Sequence, residues 1–146
     1  MAIHFVLTYY IPNSFSYVNI LEQFPTGVLA TQDGGGVRTR AFRFQFAQDN
    51  KLYFCTQGFK SVYDQLNANP NVSFCTYTPD FNPTLSISGK AVFVEDVAIK
   101  TRLINHNPLI KEIYKSPDNP DFKTFYIEVK EIETFSFAEG SQKYKL

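Results

Sequence analysis

The 146-residue sequence has little of several residue types that mark specialised protein classes. It contains no Trp, one Met, two Cys and two His, and its 14 basic side chains balance its 14 acidic ones. The zero net charge argues against the basic surface of a nucleic-acid-binding protein. Two histidines and two isolated cysteines supply too few ligands for a zinc site and form no disulfide framework. We therefore expect no metal, no nucleic-acid partner and free thiols at Cys55 and Cys75.

Long hydrophobic runs are also missing. The apolar residues at 1–13 are interrupted by His4, Thr8 and Pro12, with no basic segment before them and no small-residue cleavage site after them. This pattern fits neither a signal peptide nor a membrane span. We expect a cytoplasmic protein without a membrane partner.

Aromatic side chains are abundant, with 15 Phe and 9 Tyr, and such residues favour pleated, half-buried surfaces. The length suits one domain with its own core, and no repeat or charge block divides the chain. We predict a single domain over residues 1–146, in which residues 1–16 form an N-terminal arm or an extra edge strand.

Short apolar runs separated by turn residues predict an antiparallel sheet with a few helices. The predicted strands cover 26–31, 37–46, 51–56, 72–77, 84–95 and 123–137, and the predicted helices cover 17–24, 60–68, 97–105 and 108–114. Gly89 indicates a bend or a close backbone approach, and a bulge is expected near Lys130 and Glu131. Six strands with peripheral helices predict an all-β-dominated fold, a six-stranded antiparallel barrel that is closed or nearly closed.

The strongest local signal for chemistry is the segment 56–61 (TQGFKS), which connects a strand to the start of a helix. Unpaired N–H groups and the positive end of the helix dipole favour an anion there. Thr56 and Ser61 add hydroxyl donors and Lys60 adds a charge, so a phosphate monoester is the expected guest. The alternative is a simple helix cap beside a surface lysine.

Arg38 and Arg40 favour the phosphate interpretation. Residues two apart on a strand project from one face, and two guanidinium groups on that face suggest an anion between them. The alternative is an ion pair with Asp or Glu at the barrel rim.

Other chemistry finds no support. Gly34–Gly36 precede a strand rather than a helix, so they form a turn and not a phosphate loop. No Ser-His-Asp arrangement is recognisable, and Glu128, Glu131 and Glu133 fit a solvated strand face. We nominate no catalytic acid or base.

The order and spacing of several segments resemble the pyridoxamine 5′-phosphate oxidase-like, FMN-binding split-barrel family. The matching segments are 26–31 (TGVLAT), 37–42 (VRTRAF), 51–56 (KLYFCT), 60–61 (KS), Leu66, 69–72 (NPNV) and 87–91 (ISGKA). The resemblance spans roughly residues 17–137. It implies a six-stranded split barrel that forms a homodimer, with one flavin mononucleotide in each of two clefts between the subunits.

The resemblance also implies the cofactor-binding residues. They are Arg38, Thr39, Arg40 and Ala41 along the flavin, Cys55, Thr56, Lys60 and Ser61 towards the phosphate, and Thr84 from the other subunit. Arg43 is a further candidate, although strand alternation places it on the opposite face from Arg38. Family members often carry two basic residues where this chain has Lys60-Ser61, which predicts weaker phosphate affinity.

The final residues, 136–146, lack the arginine- and histidine-containing tail of true vitamin B6 oxidases, so we expect a different substrate. The leading hypothesis is a flavin reductase-like oxidoreductase in which the flavin carries the hydride chemistry, NAD(P)H is a possible donor, and the substrate is a small molecule. Alternatives are a non-catalytic flavin store or sensor, a haem-binding relative that uses His4 or His106, or a deazaflavin protein.

Overall fold

The computed structural model describes residues 17–146, so the expected N-terminal arm at 1–16 lies outside the described residues. The helices are α1 Tyr17–Gln23, α2 Ser61–Ala68, α3 Val97–His106 and α4 Pro108–Tyr114. The strands are β1 Thr26–Asp33, β2 Gly36–Arg43, β3 Phe46–Gln48, β4 Lys51–Gln57, β5 Asn71–Tyr77, β6 Thr84–Val94, β7 Phe122–Ser136 and β8 Gly140–Lys145. All four predicted helices and the predicted β-dominated class are confirmed.

One antiparallel sheet joins the strands in the order β2-β1-β5-β6-β7-β4-β3, and β8 pairs with the far part of β7. The sheet curls until β2 and β4 approach each other, as the 6.1 Å between the Phe42 and Phe54 ring centroids shows. No described ladder joins β2 to β4. The result is an antiparallel barrel with a split between these two strands.

Alternating apolar residues fill the barrel because successive side chains of a strand point to opposite faces. The interior contains fully buried residues from five strands, namely Leu29, Phe54, Phe74, Leu85, Ile87, Phe125 and Ile127. A second cluster, built around Tyr53, Leu103, Ile110, Tyr114 and Phe122, holds α3 and α4 against the outside of β4. Burial of each such side chain stabilises the fold by about 1.5–3 kcal/mol.

The prediction of one strand over 37–46 is wrong, because the chain changes its pairing partner inside that run. β2 ends at Arg43, where Phe44 N–H donates to the Pro25 carbonyl at 2.8 Å. Gln45 N–H then donates to the Tyr53 carbonyl at 3.0 Å, and β3 continues along β4. The division of this run and the unpredicted β8 raise the strand count from the expected six to eight.

The close approach expected at Gly89 and the bulge expected near Lys130 are the same feature. Ser88 pairs with Glu131 and Gly89 with Val129, which leaves Lys130 as the extra residue of β7. A Cβ atom on Gly89 would lie 2.0 Å from the Glu128 carbonyl oxygen. The two central strands therefore approach each other too closely at this point for any side chain.

Two side chains fix the helical hairpin that later forms a wall of the site. Asp96 accepts bonds from the N–H groups of Ala98 and Ile99 at the start of α3, and Asn107 accepts from Leu109 N–H at the start of α4. Within residues 17–146, no helix is both long and apolar enough to cross a membrane.

Asp96→Ala is expected to lower the free energy of unfolding by about 1 kcal/mol, since it leaves two N–H groups of α3 without their acceptor. Chemical denaturation monitored by circular dichroism measures this change. Asp96→Asn keeps an acceptor oxygen and serves as the control, which should retain most of the stability. Equal losses in both variants would show that the cap contributes through its charge rather than its hydrogen bonds.

Candidate functional site

A groove of about 350 Å³ opens where β2 separates from β4. Residues 41–43 of β2 form one side, residues 55–57 of β4 form the other, and α4 forms an outer wall. The groove exists because the strand pairing changes here: the pairing of β2 with β1 ends before Phe44, and Gln45 bonds to β4. Among the described strands β2 pairs only with β1, so its other edge leaves backbone N–H and C=O groups available in the split.

The α4 wall is apolar and firmly positioned. Leu109 and Ile113, one helical turn apart, both line the groove and remain 56% and 44% exposed. Asn107 donates from Nδ2 to Gln45 Oε1 at 3.3 Å, and Gln45 donates from Nε2 to the Arg43 carbonyl at 3.3 Å. This amide pair ties the start of α4 to the junction of β2 and β3.

Two cations line the groove, Arg43 and Lys60, and neither forms an ion pair or side-chain hydrogen bond with any of residues 17–146. Arg43 lies where the strands converge, beside Gln45 and its partner Tyr53. Lys60 follows the far end of β4, and Gln57 lies four residues beyond Tyr53, about 13 Å along an extended strand. The groove therefore carries a free positive charge near each end.

Arg40 is held by neutral acceptors beside α2. It donates to the Thr31 hydroxyl at 2.8 Å and to Gln65 Oε1 of α2. Desolvation and the nearby charge of Arg38 lower the pKa of Arg40, and Asp33 partly offsets this. The guanidinium keeps its charge, because the arginine side chain is effectively always protonated in proteins.

The structure brings only some of the sequence-predicted site residues together in the groove. Those that line the groove are Ala41, Cys55, Thr56 and Lys60. Ser61 begins α2 directly after Lys60, and Thr39 is exposed on β2. Thr84 begins β6, away from the groove of its own chain. Arg38 forms an exposed ion pair with Asp33 at 3.0 Å, which is the contact that the rim-pair alternative describes.

Several groove residues were not predicted from the sequence. The groove is also lined by Thr26, by Gln45 and by the α4 wall. Arg43 was predicted only as a further candidate for cofactor binding. Strand alternation places Arg43 on the opposite face from Arg38, and Arg43 lines the groove together with Ala41 and Phe42. Their place in the groove depends on the strand break at Phe44, which no local sequence pattern marks.

Cys55 is half-buried on the β4 wall, where its thiol meets the Tyr114 hydroxyl of α4. Burial raises the pKa of Cys55 to about 12, although the hydrogen bond with Tyr114 and the charge of Lys60 act in the opposite direction. Burial also raises the pKa of Tyr114, and the adjacent Cys55 adds to the rise. Both groups are therefore protonated and neutral near pH 7.

Native Cys55 is expected to alkylate with iodoacetamide at pH 8 about a thousandfold more slowly than in the unfolded chain, because only the thiolate reacts. The rate should keep rising with pH and show no plateau below pH 10, since the raised pKa is about 12. Site-resolved mass spectrometry measures it, with the urea-unfolded chain as control. Equal rates in the native and unfolded protein would contradict the raised pKa of the half-buried thiol.

An antiparallel barrel with one open seam and a groove in that seam defines a split-barrel protein. The family model for pyridoxamine 5′-phosphate oxidase matches residues 16–136. The chain belongs to this family.

Solved structures share the fold. A NimC/NimA family protein from Clostridium acetobutylicum has a TM-score of 0.80 at 23% identity, over 89% of this chain and 90% of that one. An FMN-binding, pyridoxamine 5′-phosphate oxidase-related protein from Nostoc punctiforme has a TM-score of 0.64 at 18% identity, over 82% and 79%. A haem-binding protein from Mycobacterium smegmatis has a TM-score of 0.72 at 15% identity, over 86% and 55%. Curated proteins provide no significant match.

Proposed function

We propose that the protein is a homodimeric flavoprotein that binds FMN in the groove and acts as a flavin-dependent oxidoreductase on a small molecule. One observation carries the proposal: the groove has an unpaired cation near each end and an unpaired strand edge between them. The β4 stretch from Tyr53 to Gln57, which runs alongside the groove, spans ~13 Å, so the groove suits an extended ligand. The FMN-binding relative from Nostoc punctiforme supports the same cofactor.

The phosphate would lie at the Lys60 end. Lys60 offers a free ammonium, Ser61 offers a hydroxyl, and the first N–H groups of α2 point the same way. Arg40 donates to Gln65 of α2, and from this position beside the helix its positive charge would also attract the phosphate. A charge-assisted bond of this kind contributes about 1.5–3 kcal/mol.

The ring would lie along the free edge of β2. Ala41 presents only a methyl group there, so a flat ring can approach the backbone and bond to its N–H and C=O groups. Leu109 and Ile113 offer an apolar surface facing the same space. Arg43 supplies a positive charge at this end, while neutral Cys55 supplies none.

Bound FMN would supply hydride transfer, with NAD(P)H as the proposed donor, while the chain binds and orients the reactants. A protein that leaves the chemistry to its cofactor needs no acid or base of its own. Among the described residues, the buried titratable groups of the groove are Cys55 and Tyr114, and both are neutral. His106 packs edge-on against Phe46, 5.7 Å between ring centroids, and does not line the groove. His106 therefore offers no axial ligand for haem in this site, and His4, the other candidate ligand, lies outside the described residues.

Titration of the cofactor-free protein with FMN and with riboflavin tests the phosphate end. We expect FMN to bind at least tenfold more tightly, since riboflavin lacks the phosphate that Lys60 and Ser61 contact. NAD(P)H oxidation by the loaded protein, with quinone acceptors, then separates an oxidoreductase from a flavin store. Equal affinity for the two flavins would contradict the proposed orientation, and loaded protein without turnover would favour the store.

A further inference from the structure

Gln65 of α2 accepts hydrogen bonds from two different strands. Its side-chain oxygen Oε1 accepts from the Thr31 hydroxyl of β1 at 2.8 Å and from Arg40 Nη2 of β2. Thr31 in turn accepts from Arg40 Nη1 at 2.8 Å, which closes a ring of three hydrogen bonds. Thr31 is 2% exposed and anchors this ring in the interior of the protein. A closed network set by two strands and a helix holds the guanidinium in one orientation.

The bonds of Arg40 leave one edge of its guanidinium free. A guanidinium carries five N–H donors in a planar fork. Nη1 donates to Thr31 and, at 3.4 Å, to the Leu29 carbonyl, whereas Nη2 donates only to Gln65. Nε–H and the second hydrogen of Nη2 form no hydrogen bond with any of residues 17–146. These two donors lie side by side on one edge, an arrangement that can bind two oxygens of a phosphate at once.

Only neutral groups hold Arg40, so its charge is not compensated. The acceptors are a carbonyl, a hydroxyl and an amide oxygen, and within the described part of the chain no carboxylate forms an ion pair with Arg40. Arg38, two residues earlier on the same strand, is instead paired with Asp33. The amide of Gln65 therefore orients the cation and leaves its charge available to an anion.

The split brings Arg40 level with the phosphate end of the groove. β2 and β4 both run away from the junction at residues 44–45. Arg40 lies four residues from this junction along β2, about 13 Å, and Gln57 lies at a similar distance along β4. α2 connects the two strands, because Ser61 begins it after β4 and Gln65, one turn later on the same face, bonds to β2. Arg40 therefore meets α2 one turn beyond the proposed phosphate position.

We propose that Gln65 is a positioning residue for phosphate binding. Through Oε1 it fixes Arg40 so that the free edge of the guanidinium contacts the phosphate together with Lys60. The inference rests on the proposed flavin site and deepens it, because it gives a role to a side chain that does not line the groove. Changes at Gln65 should therefore affect ligands that carry a phosphate and leave riboflavin unaffected.

A double-mutant cycle tests whether Gln65 acts through Arg40. Gln65→Leu removes the acceptor oxygen, and Arg40→Met removes the guanidinium but keeps most of its apolar stem. We expect Gln65→Leu to weaken FMN binding about three- to tenfold in the wild-type background and less than about twofold in the Arg40→Met background. Riboflavin affinity should stay within about twofold in all variants. Equal losses of FMN affinity in the two backgrounds, or no loss in either, would overturn the inference.

Gln65→Glu separates the orientation of Arg40 from its charge. The carboxylate still accepts both hydrogen bonds, so the thermal midpoint should not fall, but it neutralises the guanidinium and repels phosphate. We expect FMN affinity to fall by at least about tenfold. Asn67→Asp makes the same chemical change at an exposed position of α2 and, as the control, should cost less than about threefold. Unchanged FMN affinity in Gln65→Glu would contradict the positioning role.

Inorganic phosphate gives a readout that does not depend on flavin. In a nitrogen–proton NMR spectrum, added phosphate should shift the Nε–H signal of Arg40 more than sodium chloride of equal ionic strength does, and Gln65→Glu should abolish this shift. Arg38 and Arg102, whose side chains bond elsewhere, provide internal controls. No specific shift at Arg40 in the wild type would overturn the inference even if FMN binds. A specific shift in a protein that binds no FMN would contradict only the proposed function.

Discussion

Replacing Gly89 with alanine is expected to lower the free energy of unfolding by at least about 2–3 kcal/mol. The new Cβ would lie 2.0 Å from the Glu128 carbonyl oxygen and 3.1 Å from Val129 Cα. These are backbone atoms of the neighbouring strand, so no side-chain rotation relieves the clash, and β6 and β7 must move apart at the centre of the sheet. Domains of this kind have only about 5–15 kcal/mol of stability, so the loss is large.

Urea denaturation followed by circular dichroism measures this effect, and we expect the midpoint to fall by about 1 M or more. Gly35→Ala is the matched control, because a Cβ there meets no atom within 4 Å. It should change the midpoint little. An unchanged midpoint for Gly89→Ala would show that the bulge at Lys130 absorbs a side chain without cost.

Lys60→Ala is expected to weaken FMN binding roughly ten- to hundredfold, which corresponds to one charge-assisted phosphate contact of about 1.5–3 kcal/mol. The side chain has no partner among residues 17–146, so its removal breaks no internal contact and should leave the stability unchanged. Riboflavin affinity should not change, because riboflavin has no phosphate. Fluorescence titration at low and moderate salt measures both affinities, and the effect should shrink with salt.

Arg38→Ala is the control, because it also removes one positive charge but at a position outside the groove. Arg38 pairs with Asp33 and does not line the groove, so this variant should keep nearly wild-type FMN affinity. If Arg38→Ala weakened binding as much as Lys60→Ala, the phosphate would lie nearer the β1–β2 turn than we propose.

Local patterns in the sequence predicted most of the barrel. Alternation located the strands, and Pro25 and Asn69-Pro70 correctly marked where two helices end. Gly89 and the Lys130–Glu131 pair predicted two sides of one bulge, because glycine in a strand and an extra residue opposite it have local signatures. These features depend on residues close together in the chain.

The seam of the barrel could not be predicted in the same way. Phe42, Phe44 and Phe46 continue one alternating pattern through the point where the strand breaks. The break depends on two distant carbonyls, those of Pro25 and Tyr53, which no local pattern reveals. β8 was missed because its alternating residues are mostly polar and resemble a loop.

In the candidate site too, the residues with a local sequence signature were predicted and those placed by long-range packing were not. The segment 56–61 was found because a strand that leads into a helix start is a local anion signature. Arg38 was grouped with Arg40 by strand alternation, whereas its position near the turn brings it to Asp33. Nothing in the sequence distinguishes Leu109 and Ile113 from other apolar helix residues. They line the groove only because α4 packs beside the split.

The visible absorbance spectrum of the purified protein, with mass spectrometry of what heating releases, tests the central claim most directly. The account predicts flavin bands and the release of FMN, or their appearance after the protein is incubated with FMN and separated from the excess. A colourless protein that retains no added FMN would contradict the proposed cofactor and leave the split barrel without it.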